Sequence, residues 1–286
     1  MSLLFDSFWR AAAYCLRPRV IVLSLLPLVL MMGLSVGLGY LFWDAALDQV
    51  RSWLDAFAFS GTLWNWLDNM GAGGLKTALA PLLIIFAITP LIVVVSLLVV
   101  AVFMTPALVS LVAQSRFKNL KKMRGASFVS SVLWSLGSTL AALVALIISV
   151  PLWAIPPLIL VLPPLIWGWL TYRVMAFDAL AEHATDAERR TLFRKYRVTL
   201  LGMGVLTGYI GAAPSLVWAS GALFAAAFVI LVPVAIWIYT LVFAFSSLWY
   251  AHFCLAALQD LRHATAIAHG QSGSAGPVDI ITLEPQ

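Results

Sequence analysis

"SVPLWAIPPLILVLPPLIWGW", residues Ser149 to Trp169, places Pro151, Pro156, Pro157, Pro163 and Pro164 inside a stretch with no charge from Phe128 to Tyr172. Proline in a helix interior removes a backbone donor and clashes with the preceding turn, so a run this dense in proline predicts a bend. Cations guard both ends. Before the run, "QSRFKNLKKMRG" carries Arg116, Lys118, Lys121, Lys122 and Arg124 with no acid, and six cations lie between Arg173 and Arg197. Loops rich in Lys and Arg stay on the cytoplasmic side of a membrane. The run therefore enters and returns on one side, which predicts a proline-broken helical hairpin over 128–172. Its returning limb, from Pro157 to Tyr172, is shorter than the roughly 20 residues of a full crossing, so partial penetration is expected.

The rest of the chain obeys the same ruler. Of 286 residues, 63% are hydrophobic and only 10% are charged, and the mean hydropathy is +1.00. No soluble core needs that balance; an all-α integral membrane protein does. A first span is expected over 20–43, ending in the interface-type aromatics of "YLFWD". A second covers 77–113, about 55 Å if wholly helical at about 1.5 Å per residue, so it must end early or kink. Pro81, Pro90 and Pro106 are its candidates, and "MTP" at Met104–Pro106 is the expected end. Between these spans, 44–76 holds Asp44, Asp48, Asp55 and Asp68 against Arg51 and Lys76, with Trp53, Trp64 and Trp66, which marks the outer side.

A second hairpin is expected over 198–259, broken at "GYIGAAPS" (Gly208–Ser215) and at Pro233. Residues 173–197 form a basic cytoplasmic segment, and 263–286, whose "HGQSGSAGPVDIITLEPQ" is polar and rich in Gly and Ser, read as a disordered cytoplasmic tail. At the other end, Leu4, Phe5, Phe8, Ala12 and Leu16 recur at helical spacing while Asp6, Arg10 and Arg17 lie elsewhere on the wheel. That pattern predicts an interfacial helix over 1–17 rather than a cleaved leader. Residues 1–262 thus form a single helical membrane domain with both termini in the cytoplasm.

The 17 Lys and Arg against 12 Asp and Glu point to anionic lipid as a partner, not nucleic acid. Cys15 and Cys254 are too few and too separated for a disulfide framework or a zinc site. The sequence lacks HExxH, a phosphate-binding Gly-Lys-Ser/Thr loop and a nucleophile with a base, so no enzyme and no cofactor are expected. "GMGVLTG" at Gly202–Gly208 is read as helix packing, not nucleotide binding.

The interval from Pro18 to Pro27, the proline-broken hairpins and "WLTYRVMAFDALAEHATDAERRTLFRKYRVTLLGMGVLTGYIGAAPS" (Trp169–Ser215) together resemble the CysZ sulfate permeases and the related etoposide-induced-protein family. Trp169, Asp178, His183, Arg190, Arg194, Arg197 and Gly204 fall close to that family's tryptophan, aspartate, histidine, paired arginines and glycine. The order of elements matches from about residue 5 to 260. The resemblance implies a bacterial inner-membrane protein, oligomeric, that takes up sulfate for cysteine synthesis. After its first proline the family carries Gly-Leu-Arg-Arg, where its sulfate is held; here those places read Arg19, Val20, Ile21 and Val22. Pro214 matches, but the asparagine and second proline that follow in the family are replaced in "PSLVWASGALF".

The residues themselves offer one anion site and one vestibule. Pro18 suits the first turn of a helix, where the amides of Arg19, Val20 and Ile21 are expected to be free and partially positive. With the guanidiniums of Arg17 and Arg19 they make a docking point for a sulfate-like anion; the competing reading is that both arginines only contact lipid phosphate and fix orientation. Arg190, Arg194 and Arg197 are a vestibule candidate, although Glu182 and Glu188 stand at spacings that would pair with the cluster. His183 and Asp178 are a possible proton-linked pair. No Asp, Glu, Lys or Arg lies within 20–43, 77–113, 128–172 or 198–251, which disfavours a proton-driven carrier and favours a passive or channel-like path lined by Thr89, Ser96, Thr105 and Ser110. The expected function is a permease for a small inorganic anion; the alternative is a non-transporting scaffold that binds lipid or partner proteins through its basic loops.

Overall fold

A computed structural model describes residues 2–56, 74–123, 125–218 and 221–274. The expected all-helical membrane architecture is what it shows: every regular element among the described residues is a helix. In chain order these are α1 (Ser2–Cys15), α2 (Pro18–Ala56), α3 (Gly74–Arg116), α4 (Phe128–Ser149), a 3-10 turn (Val150–Ala154), α5 (Pro156–Leu180), α6 (Asp186–Lys195), α7 (Arg197–Trp218) and α8 (Gly221–Ser274). Four segments are long and apolar enough to cross a membrane: Pro18–Leu54, Leu79–Arg116, Val129–Ala154 and Pro233–Ile267.

The first hairpin bends where the prolines begin. Ser127 starts α4 by accepting a hydrogen bond from the Ser130 amide. After Ser149 the chain tightens into the 3-10 turn, and Ile155 is extended at φ −99°, ψ 106°, the conformation imposed on a residue that precedes proline. Pro156 then opens α5, where a missing amide costs nothing. Pro163 and Pro164 do not contribute to the bend; they lie inside α5. That helix also continues past Tyr172 to Leu180, so the returning limb is longer than the uncharged run alone predicts.

Other prolines expected as breaks are likewise absorbed. α3 runs through Pro81, Pro90 and Pro106 to Arg116, so "MTP" is not its end. α7 passes Pro214 and α8 passes Pro233 without interruption. α7 ends at Trp218 and α8 begins at Gly221; residues 219–220 lie outside the described residues. α2 likewise extends beyond the aromatic "YLFWD" into the expected polar loop as far as Ala56. Trp64, Trp66 and Asp68 of that loop lie outside the described residues. So does 275–286 of the expected tail, whereas 263–274 continue α8 as helix.

The core is α8. It packs against α1, α2, α3, α5, α6 and α7, and from Leu248 to Leu255 no residue is more than 3% exposed. A helix apolar on every side belongs at such a centre. Phe8 of α1 sits edge-on to Phe245 and Trp249 of α8, with ring centroids 5.3 and 5.1 Å away, and Ala11 is fully buried. The apolar stripe expected over 1–17 therefore divides: Leu4 and Phe8 pack on the bundle, while Phe5 and Leu16 face outward.

α5 and α7 cross at Gly168 and Gly204. A Cβ on Gly204 would lie 2.1 Å from the Gly168 carbonyl oxygen, and one on Gly168 would lie 2.4 Å from Val205 Cγ2. The reading of "GMGVLTG" as packing holds at Gly204, whereas Gly202 and Gly208 meet nothing. Above the crossing, the Tyr250 hydroxyl donates to the Leu200 carbonyl at 2.7 Å.

Candidate anion site

The turn between α1 and α2 places Arg17 and Arg19 on the surface, but its backbone differs from the expectation. The Val20 and Ile21 amides both donate to the Arg17 carbonyl, at 2.9 and 3.1 Å. The Val20 bond spans three residues and is 3-10 in type, while the Ile21 bond spans four and is the first α-helical bond of α2, so the helix start satisfies both donors itself. Val20 is completely buried. Among the three amides expected to be free, only that of Arg19 has no acceptor among the described residues. The Arg17 guanidinium lies 3.5 Å above the Tyr14 ring, and the Tyr14 hydroxyl is 2.7 Å from Ser115 Oγ on α3. Arg17 is therefore held by α1 and, through Tyr14, tied to the end of α3.

The basic segment separates into engaged and free cations. Arg173 lies 4.0 Å over Trp134, whose indole nitrogen donates to the Arg173 carbonyl. Arg189 is tucked 4.3 Å over Phe177 and bonds Asp186. Neither Glu182 nor Glu188 pairs with its arginine neighbours as expected: Glu182 accepts from Lys122 at 2.7 Å, and Glu188 from Arg262. Arg190, Arg194 and Arg197 are left exposed with no carboxylate partner among the described residues. Arg190 and Arg194 share a surface concavity of about 320 Å³ with Thr191 and Lys195; Arg197, at the start of α7, does not line it.

Arg262, to which the sequence assigns no role, joins the loop before α4 to the loop before α6. Its Nη2 donates to the His183 carbonyl at 2.7 Å, its Nη1 to the Lys121 carbonyl at 3.0 Å, and its Nε to Glu188 at 2.7 Å. Glu188 closes a capping box with Thr185 at the start of α6, a signal present in the sequence as Thr-x-x-Glu. The hydrogen bond from Arg262 is the main reason the Glu188 carboxyl stays below its usual range. His183 is buried, and burial followed by the charge of Lys122 holds its imidazole below the usual 6.5. No hydrogen bond joins His183 to Asp178 among the described residues. Asp6 accepts from Arg116 at 2.9 Å and from Arg10 at 2.8 Å, so the N-terminal helix and the end of α3 meet at the same end of the molecule.

The four hydroxyls on α3 do not converge on one lining. Thr89 is exposed, Ser96 and Thr105 are buried, and Ser110 donates to the Ala107 carbonyl at 2.8 Å.

A family model described as sulfate transporter CysZ/etoposide-induced protein 2.4 matches residues 7–221. The chain belongs to that family. The matched region takes in most of α1, the Arg17–Ile21 turn, the first hairpin, the basic segment and α7, and it stops where α8 begins. This CysZ-family chain is accordingly a multi-pass membrane protein of a sulfate-transporter family, with its most buried helix beyond the matched region. No curated protein and no solved structure matches it.

Proposed function

We propose that this CysZ-family chain is an inner-membrane permease that admits sulfate or a closely similar oxyanion by a passive, channel-like path. Family membership over residues 7–221 carries the reading. The uncharged spans support the passive route, because a charge at the bilayer centre costs roughly 2.5 to 3.5 kcal/mol on insertion scales and is retained where protons or ions are relayed. The basic end of the molecule faces the cytoplasm, with both termini, and the protein works as a homo-oligomer. The anion docks beside Pro18, where the guanidiniums of Arg17 and Arg19 and the Arg19 amide are its donors; Val20 and Ile21 shape that turn with amides already engaged. Arg190, Arg194 and Arg197 form a vestibule that concentrates anions.

The exposed, unpaired arginines around α6 also favour a second reading, a scaffold that binds anionic lipid or partner proteins without transport. Purified protein in sealed liposomes separates the two. Labelled sulfate influx above that of empty vesicles supports the permease; retained lipid binding with no anion flux supports the scaffold.

A further inference from the structure

α6 has two faces. Arg189 and Leu192 are buried, and Phe193 and Tyr196 pack against the core, Tyr196 edge-on to Phe253 of α8 with ring centroids 5.4 Å apart. The opposite face is exposed. Its Arg190, Thr191, Arg194 and Lys195 line the concavity of about 320 Å³, three cations and a hydroxyl with no acid among them. Thr191 Oγ1 donates to the Ala187 carbonyl at 2.9 Å, so the cations are the donors left to a ligand. Each carboxylate between residues 182 and 197 is already engaged by another cation: Glu182 by Lys122, Asp186 by Arg189 and Glu188 by Arg262. Cations suit the last turn of a helix, but like charges four residues apart repel. Their counter-charge must come from outside the chain.

The neighbouring helix narrows what that partner is. α7 begins at Arg197 and carries no further charge, and its Val198, Leu206 and Tyr209 are 82%, 47% and 52% exposed. With Gly202 they form one stripe at spacings of four, four and three. A Cβ on Gly202 would meet nothing within 4 Å, so the stripe is notched between Val198 and Leu206. Val198 follows Lys195 by three residues, which keeps the start of the stripe within about 11 Å of the cations even along extended chain.

We propose that the basic face of α6 and the outer stripe of α7 together bind an anionic phospholipid, with Arg190, Arg194 and Lys195 on its headgroup phosphate and an acyl chain along Val198, Gly202 and Leu206. Free phosphate or sulfate matches only the cationic half; a lipid matches both. Each guanidinium offers paired in-plane donors to phosphate oxygens, and the ammonium adds a point charge. One phosphodiester carries a single negative charge against the three cations of the concavity, so the cluster stays positive and the proposed vestibule is kept. The site rests on the placement of α7 in a bilayer and not on sulfate transport.

The test is native mass spectrometry of the purified full chain in detergent with added phosphatidylglycerol or phosphatidylcholine, run beside a titration with inorganic phosphate. Wild type is expected to retain phosphatidylglycerol in preference to phosphatidylcholine. Combined Arg190→Gln, Arg194→Gln and Lys195→Gln should weaken that retention about tenfold or more, with unchanged elution and lipid-free melting because all three side chains are exposed. Val198→Ser should weaken it with every cation in place. A readout that needs no variant is phosphatidylglycerol with a photoreactive acyl chain in wild-type liposomes, which should label the peptide spanning 198–209. Equal retention of the two lipids, retention unchanged in the triple variant, inorganic phosphate that displaces the lipid at equal concentration, or no label on that peptide overturns the site. Phosphatidylglycerol retention without sulfate influx keeps the site and removes the permease reading; influx without lipid preference does the reverse.

Discussion

Arg262 of α8 and Glu188 of α6, 74 residues apart in sequence, are joined by two parallel hydrogen bonds, Nε to Oε1 at 2.7 Å and Nη2 to Oε2 at 3.1 Å. Each side chain is 21% exposed, so the pair is only partly screened by solvent, and the same guanidinium holds two carbonyls of neighbouring loops. Removing one partner leaves the other's charge half-buried and unpaired. Arg262→Met is expected to destabilise the protein by about 2 kcal/mol, below the range for fully buried pairs. Thermal unfolding in detergent checks this, and a double-mutant cycle with Glu188→Gln should show coupling because the two effects share one contact.

The α5–α7 crossing makes a sharper steric prediction. Gly204→Ala would drive a methyl into the Gly168 backbone, and overpacking of this kind costs about 1–3 kcal/mol. Gly202→Ala and Gly208→Ala, whose added methyls meet nothing, should leave stability unchanged or raise it slightly. Melting temperatures of the three variants under one detergent condition decide the matter.

Acid should loosen the loop cluster in two stages. His183 has a folded pKa below its ordinary 6.5, so its contribution is complete above that value and is lost as the pH falls below it, where only the unfolded chain takes up the proton freely. Glu188 is held below its ordinary 4.5, so its contribution is lost in turn as the pH drops beneath that. The His183 part is read as a difference: the stability lead of the wild type over His183→Gln should shrink below pH 6.5, by at most about 1.4 kcal/mol per pH unit, while the burial-raised carboxyl of Asp178 acts in the opposite sense below about 6. The lead of the wild type over Glu188→Gln should shrink below 4.5.

How much of this was legible in the sequence depends on the range of each interaction. Uncharged runs gave the apolar segments, since composition alone decides which stretches tolerate lipid, and the Pro151–Pro157 cluster gave the first bend because Ile155 precedes a proline. Pro106, Pro214 and Pro233 misled: each lies within a continuous helix, and helices in membranes tolerate proline where neighbours and local tightening satisfy the freed backbone groups. The Val20 amide is engaged by a 3-10 bond to Arg17, which residue types do not announce, whereas the Ile21 amide makes the first α-helical bond that follows once the helix opens at Pro18. The Arg262–Glu188 and Asp6–Arg116 pairs were hidden by distance, because helical spacing reveals only partners three or four residues away. Glu188 itself carried a readable signal in its capping box.

The free arginines around α6 predict a salt-dependent entry rate. Combined Arg190→Gln, Arg194→Gln and Arg197→Gln should lower the initial rate of sulfate influx about tenfold at low ionic strength, within the range of electrostatic steering. The deficit should shrink near 1 M salt, where the screening length is about 3 Å. An equal deficit at both ionic strengths would assign these side chains a contact role in place of a steering one.

The most direct test of passive anion entry is labelled sulfate influx into sealed proteoliposomes, measured with a proton gradient imposed and again with it collapsed by an ionophore. Passive entry predicts influx that follows the sulfate gradient at the same rate in both. Influx that stops when the proton gradient is collapsed, or that never exceeds empty vesicles, would contradict it.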